Sequence, residues 1–237
     1  MVKILDCTTR DGGHTTNWEF DDKFVLSLME KLNNYNVSYY EIGYRNHYDT
    51  DNKGRFYNCT PEMLETFYRA KGQLQLGVMV DTKRFSEKDF SGVNNDFIDF
   101  VRVACHPDRI QDTLNIAEFL YERNYKVFVQ LMDISNVGAD GYINLYSWDK
   151  KSILESLYFA DSYGTITPDE TEKYFNKLKI LGFEKISFHG HNNSGFALQN
   201  SLKAAELGAY SIDVTQDGIG RCGGNLDFKY LDIVNRF

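Results

Sequence analysis

The sequence predicts an α/β fold of the (β/α)8, or TIM barrel, class, organised as a single domain over residues 1–237. Three observations predict it. Short β-like runs alternate with longer amphipathic runs along the whole chain. The alternation completes eight strand-then-helix units, or nearly so, and barrels of this class typically run to about 250 residues. The main alternative is a doubly wound open sheet, and no G-x-G-x-x-G turn follows the first strand to favour it.

The first strand covers 3–7 and ends in Thr8-Thr9-Arg10-Asp11-Gly12-Gly13-His14. The first helix, 21–34, places Val25, Leu28, Met29 and Leu32 at helical spacing, and Asp21 and Asp22 suit its N-terminus. The second strand is 38–44. The polar stretch 45–58 reads as a long loop, either a binding loop or a solvated one. Thr60-Pro61 opens the second helix with a cap and a first-position proline. The third strand is 74–80, followed by an irregular connection over 81–95. The fourth strand, 97–104, leads to a helix over 107–124 with Ile110, Leu114, Ala117 and Leu120 on one face. The fifth strand is 126–132. Residues 136–147 are rich in Gly, Asn and Tyr, and 148–155 look helical. The sixth strand, 156–160, ends in Asp161-Ser162-Tyr163-Gly164. Thr167-Pro168-Asp169-Glu170 repeats the helix start, and Gly182 stops that helix. The seventh strand is 185–191 with a helix over 195–207. The eighth is 211–215, and a helix over 226–236 closes the chain.

Bulk properties exclude several function classes. A net charge of −8 gives no electrostatic reason to bind nucleic acid or an anionic membrane. No apolar run is long enough to span a bilayer, and the N-terminus lacks a signal-peptide core, so a cytoplasmic protein is expected. The four cysteines are scattered without a C-x-x-C pair, which argues against a zinc knuckle and a disulfide framework. A homo-oligomer is compatible with the sequence.

Barrel active sites form at the C-terminal ends of the strands. His189 and His191 stand two residues apart at the end of the seventh strand and project from one face. They are either half of a divalent-metal site or two histidines meeting only each other and solvent. Barrel closure brings the first strand beside the seventh and eighth, so Asp11 could complete a two-His, one-carboxylate set, with the amide oxygen of Asn225 as a fourth ligand. Plainer readings stand beside these. Asp11-Gly12-Gly13 could be only a turn. Arg102 could pair with Glu41 inside the barrel mouth. Cys105 reads as a small buried residue, His106 as a capping neighbour, and His47 as solvated. Gly218, Gly220, Gly223 and Gly224 could cradle an anion or merely allow a tight turn.

Three segments in order, Thr9-Arg10-Asp11-Gly12, His189-Gly190-His191-Asn192, and Gly218-x-Gly220 followed by Gly224-Asn225, resemble the signatures of the DRE-TIM metallolyase superfamily. That superfamily includes hydroxymethylglutaryl-CoA lyase, condensing synthases, pyruvate carboxyltransferase domains and 4-hydroxy-2-oxovalerate aldolase. Glu41-Ile42-Gly43, Arg102-Val103-Ala104 and Ala160-Asp161-Ser162 echo it more weakly. His14 after Gly13 resembles the aldolase branch, whereas the synthases usually carry Glu at position 13.

The resemblance implies a metal-dependent aldolase. Asp11, His189 and His191 would hold Mn²⁺ or Mg²⁺, with Asn225 as a further ligand. His14 would be the general base, Arg10 would bind substrate and stabilise developing charge, and Ser162 would hydrogen-bond the carboxylate of a keto acid substrate. Residues 136–148 depart from the aldolase pattern. The chain also ends before the aldolase's C-terminal helical region, so the resemblance does not carry over an aldehyde dehydrogenase partner. Other readings are a condensing acyltransferase or acyl-CoA lyase of the same superfamily, an inactive metal-binding barrel in a larger assembly, and a non-haem Fe(II) oxygenase. The strand–helix alternation argues against the last.

Overall fold

The computed structural model describes residues 2–48, 50–92 and 96–237. Its strands are β1 Lys3–Asp6, β2 Tyr39–Tyr44, β3 Gln75–Asp81, β4 Phe100–Cys105, β5 Lys126–Leu131, β6 Leu154–Asp161, β7 Ile186–Gly190 and β8 Ser211–Val214. They pair in parallel in sequence order and close into a barrel, with Lys3 opposite Ser211 and Asp6 opposite Val214 at the seam. The expected (β/α)8 barrel is therefore what the chain forms. Among the described residues, the helices are α1 Thr8–Asp11, α2 Gly13–Thr16, α3 Asp22–Asn34, α4 Pro61–Ala70, α5 Ile110–Tyr121, α6 Ile134–Val137, α7 Pro168–Ile180, α8 Ala197–Glu206 and α9 Leu231–Val234.

Period-two alternation sorts each strand's side chains to two sides. Ile4, Tyr40, Val78, Val101, Val127, Phe159, Phe188 and Ile212 face outward into the core shared with the helices. Leu5, Cys7, Tyr39, Phe100, Phe128 and Tyr158 fill the barrel interior. The inner rings meet edge to face, Tyr39 to Phe100 at 5.6 Å and Phe100 to Phe128 at 5.3 Å between centroids. Phe100 needs Gly77 opposite it, since a Cβ there would lie 2.4 Å from the ring. This aromatic layer is a floor, so only the strand ends above it are open to chemistry.

The helix starts follow the expected capping. Thr167 accepts from Glu170 N while Glu170 reaches back to Thr167 N, a complete capping box. Asp21 accepts from Lys23 N at 2.8 Å.

Several boundaries differ from the sequence expectation. The turn after β1 is helical, as α1 and α2, because the Asp6 carboxylate accepts from Thr8 N at 2.9 Å and starts a turn. Residues 148–155 are not a helix. A 3-10 turn spans Lys151–Ile153 and β6 begins at Leu154. The 136–148 region holds the end of α6 and a 3-10 segment, Ala139–Ser147, kinked at Tyr142. The closing helix is reduced to a 3-10 turn, Phe228–Tyr230, and α9. Strand β4 starts at Phe100 rather than 97, since Phe97 takes a positive φ of 53°. The loop 45–58 is packed, with Phe56 and Tyr57 buried and Arg45 donating to the Cys59 carbonyl at 2.8 Å. Its residue 49, and residues 93–95 of the connection 81–95, lie outside the described residues. Among the described residues, no helix is long and apolar enough to cross a membrane.

Candidate metal centre and active site

The site is assembled from the ends of β7, β8 and β1. His189 lies on β7 and His191 just beyond it, their rings 4.8 Å apart between centroids. Asp11 ends α1. Ligand atoms of Asp11, His189 and His191 all lie within 4.8 Å of one another, and all three residues are buried. The structure thus brings together the three residues that the sequence pointed to.

Each ligand is oriented by a neighbour. His189 Nδ1 lies 2.8 Å from Asp213 Oδ2, which fixes Nδ1 as the protonated nitrogen and leaves Nε2 as the electron-pair donor. His191 Nδ1 lies 3.3 Å from the Gly224 carbonyl, and its buried Nε2 meets no protein partner. Asn225 forms a backbone bridge to His191, and its Nδ2 donates to Asp11 Oδ2 at 2.6 Å and to the Ile219 carbonyl at 2.9 Å. Those acceptors fix the amide's orientation and leave its buried Oδ1 without a partner. Gly220 permits this closeness. A Cβ there would lie 2.0 Å from Asn225 Nδ2 and 2.5 Å from Asp11 Oδ2. Gly13 is needed for another reason, because a Cβ would lie 2.1 Å from the Trp18 indole, which donates to the Arg10 carbonyl at 3.0 Å.

A buried ionic chain supports the ligands from below. Arg10 Nε donates to Glu41 at 2.6 Å and its Nη1 to Asp11 at 2.6 Å. Arg102 grips the same Glu41, with Nε at 2.7 Å from Oε1 and Nη2 on Oε2, and its Nη1 donates to Asp213 at 2.6 Å. The Arg102–Glu41 pairing read from the sequence is present, as one link of this longer chain. Three carboxylates, Asp11, Glu41 and Asp213, face two guanidiniums, Arg10 and Arg102. One negative charge is left over in a buried place, where an unbalanced charge is costly.

The protonation states match that surplus. Burial alone would raise the Asp11 carboxyl. Arg10, the two histidines and Asn225 instead hold it well below the usual carboxylate range. Burial and the neighbouring His189 push His191 down to about 3, although Asp11 opposes them. An ionised carboxylate, a neutral imidazole, an orphaned imidazole nitrogen and an orphaned amide oxygen are the donors a divalent cation takes, so the residues fit one. A second cluster, Cys7, His189 and Asp213, fits poorly. Arg102 and His189 Nδ1 already share Asp213 Oδ2, and burial raises the Cys7 thiol well above its ordinary range.

His14 stands at the rim. Its ring contacts Trp18 edge-on at 4.8 Å and Tyr44 at 6.4 Å. Desolvation lowers it to about 4, with Arg221, Arg10 and Lys53 adding to the fall and Asp11 opposing it. The ring is therefore neutral at pH 7 and able to accept a proton. Arg10 Nη2 is buried with no protein partner.

Other sequence candidates do different work. Ser162 Oγ accepts from Asp133 N at 2.9 Å, a bond that does not use its own proton. Asp161 holds the Thr165 and Ile166 N–H groups at 3.0 Å each. Cys105 is buried, as expected. His106 takes the cap position without a side-chain cap bond and lies 3.7 Å from Asp81. His47 is paired with Asp89 at 2.9 Å rather than simply solvated. Two residues escaped sequence reasoning. Asp213 carried a signal, an acid between the apolar Ile212 and Val214 on a buried strand. Arg221, between Gly220 and Cys222, carried none.

The HMGL-like family model matches residues 101–234. The chain belongs to the HMGL-like family. This agrees with the DRE-TIM resemblance of the sequence motifs. An oxaloacetate decarboxylase from Mycobacterium tuberculosis is 26% identical over 234 residues, which cover 96% of this chain and 68% of that one. A 4-hydroxy-2-oxovalerate aldolase from Spirochaeta aurantia is 27% identical over 240 residues, covering 98% and 69%. The N-terminal domain of a candidate aldolase from Bacteroides vulgatus superposes with a TM-score of 0.86 at 27% identity, over 99% of this chain and 79% of that one. The carboxyl transferase domain of Rhizobium etli pyruvate carboxylase matches over 97% of this chain and 42% of that one, with a TM-score of 0.76. At 19% identity, that likeness is one of fold.

Proposed function

We propose that the chain is a divalent-cation-dependent carbon–carbon lyase that cleaves a 4-hydroxy-2-keto acid to pyruvate and an aldehyde. The observation that carries the reading is the open ligand set of Asp11, His189 and His191 with a neutral His14 at its rim. Asp11, His189 and His191 would hold the cation, Mn²⁺ or Mg²⁺, with the Asn225 amide oxygen available beside them. When bound, the cation supplies Lewis-acid polarisation of the substrate's keto group, an effect of several kcal/mol.

The chain's own groups supply the rest. Arg10 is clamped by Glu41 and Asp11, so its unpartnered Nη2 is a pre-oriented donor for the oxygen that gains charge as the bond breaks. His14 accepts the proton of the C4 hydroxyl, and that oxygen's electrons form the aldehyde carbonyl as the C3–C4 bond opens. The buried Arg102–Asp213 link holds His189 in one tautomer. Ser162 retains a hydroxyl proton to offer a substrate carboxylate.

The similarity to an oxaloacetate decarboxylase favours a second reading, loss of CO₂ from a β-keto acid. Both reactions leave pyruvate as its enolate, but decarboxylation needs no base on a hydroxyl. Pyruvate release from 4-hydroxy-2-keto acids and from oxaloacetate, with Mn²⁺ and with His14→Ala, separates the two. The aldolase reading expects hydroxy-acid cleavage that collapses in the variant. Cleavage of oxaloacetate alone, indifferent to His14, would overturn it.

A further inference from the structure

The loop between β8 and α9 carries a cation that the reading above does not use. Arg221 follows Gly220, whose backbone sits against Asn225 and Asp11, so the Arg221 backbone starts beside the ligand set. Its backbone is fixed there, because Gly224 N donates to the Arg221 carbonyl at 2.9 Å and a Cβ at Gly223 would strike the Asn193 backbone at 2.7 Å. The side chain is partly buried and its Nε is fully buried without a hydrogen-bond partner.

Among the described residues, Arg221 has no ion pair, whereas Arg10 and Arg102 are each bound by two carboxylates. Its charge acts on His14, Tyr44 and His191 alike, so the guanidinium lies near both the base at the rim and the ligand set. Lys53 adds a second cation on the same side, 5.3 Å over the Trp18 ring, and it too acts on His14. A partly desolvated guanidinium with no internal partner is costly unless an anion meets it.

We infer that Arg221 is the clamp for a second carboxylate on the substrate, so that the substrate class is the keto diacid, carrying a carboxylate beyond C4, rather than a keto acid with an apolar tail. The inference rests on the reading above for the placement of C1 and C2 at the ligand set. The clamped carboxylate would then stand just beyond the C4 hydroxyl that faces His14. Arg221 is a substrate-binding residue in this account and takes no part in proton transfer.

The test uses two matched pairs. 4-Hydroxy-2-oxoglutarate and 4-hydroxy-2-oxovalerate differ only by a carboxylate in place of a methyl group. 2-Oxoglutarate and 2-oxovalerate differ in the same way and lack the hydroxyl, so they bind without aldol cleavage. Binding of the second pair to the Mn²⁺-loaded protein is measured by calorimetry, and kcat and KM are measured for the first. The wild type should favour the diacid of each pair by about 10-fold or more, the scale of a hydrogen bond to a charged group. In Arg221→Gln that ratio should fall to near 1, chiefly through KM, and Arg221→Lys should recover part of it. A wild type that prefers the monoacid would overturn the inference. So would an Arg221→Gln variant that weakens both members equally, because the clamp would then serve the shared C1 carboxylate. If neither hydroxy acid is cleaved but calorimetry still shows an Arg221-dependent preference for 2-oxoglutarate, the clamp stands and the aldol reading falls.

Discussion

Both ends of the barrel are closed by buried or half-buried polar networks, and the two differ in how completely they are satisfied. At the N-terminal end, Lys3 donates to Tyr210 at 2.5 Å and to Tyr39 at 3.1 Å, and both tyrosines bond Glu155. The single carboxylate of Glu155 is met by Lys3 and acted on by Lys185, and both hydroxyls and the Lys3 ammonium are engaged. At the C-terminal end, two guanidiniums face three carboxylates, and Arg10 Nη2, His191 Nε2 and Asn225 Oδ1 are buried without partners. A network that satisfies itself reads as structure. One that leaves a surplus charge and aimed, unused donors reads as a place prepared for a cation and a substrate.

The largest expected effect should come from striking the unbalanced end at its ligands. His191→Ala, or chelation of the wild type, should lower pyruvate release by about 10⁴-fold, since the Lewis acid is lost outright. His14→Ala should cost less, about 10²-fold in kcat/KM, the lower end of what a positioned general base contributes. Asp213→Asn should weaken Mn²⁺ binding by about 10- to 100-fold, the usual scale for a partner that orients a metal-binding histidine, which a dialysis titration would measure. The other end should behave differently. Tyr39→Phe should change stability by about 1 kcal/mol in a urea melt and leave Mn²⁺ affinity unaltered. Equal damage to metal binding from both ends would break the comparison.

A pH profile sharpens the same contrast. His14 in the folded protein is lowered to about 4, below the ordinary histidine value near 6.5. The unfolded chain therefore takes up a proton on this group first as pH falls. Its contribution to stability is complete above about 6.5 and fades toward 4. By the same sign, the neutral base persists to low pH, so the acid limb of kcat/KM should lie well below 6.5 and should vanish in His14→Ala.

The strands, the order of units and the Asp11–His189–His191 set were legible because they rest on period-two alternation and on barrel closure, which are local pattern and topology. The helical reading of 148–155 failed because Glu155 alternates inward to the tyrosines of the lower network, a strand role that a short mixed window does not reveal. The Glu41–Arg102 pair was visible as two opposite charges on interior strands. Asp213 was the missing link, since its role depends on a neighbour 24 residues earlier in the chain. Arg221 was invisible because nothing in Gly-Arg-Cys-Gly-Gly shows that Gly220 presses the loop onto Asn225 and Asp11. That depends on backbone packing at one point.

The most direct test is a Mn²⁺ titration followed by electron paramagnetic resonance on the wild type, His191→Ala and Glu155→Gln proteins. One tightly bound ion per chain is expected in the wild type and in Glu155→Gln, and none of comparable affinity in His191→Ala. Retention of the tight ion in His191→Ala would contradict this expectation.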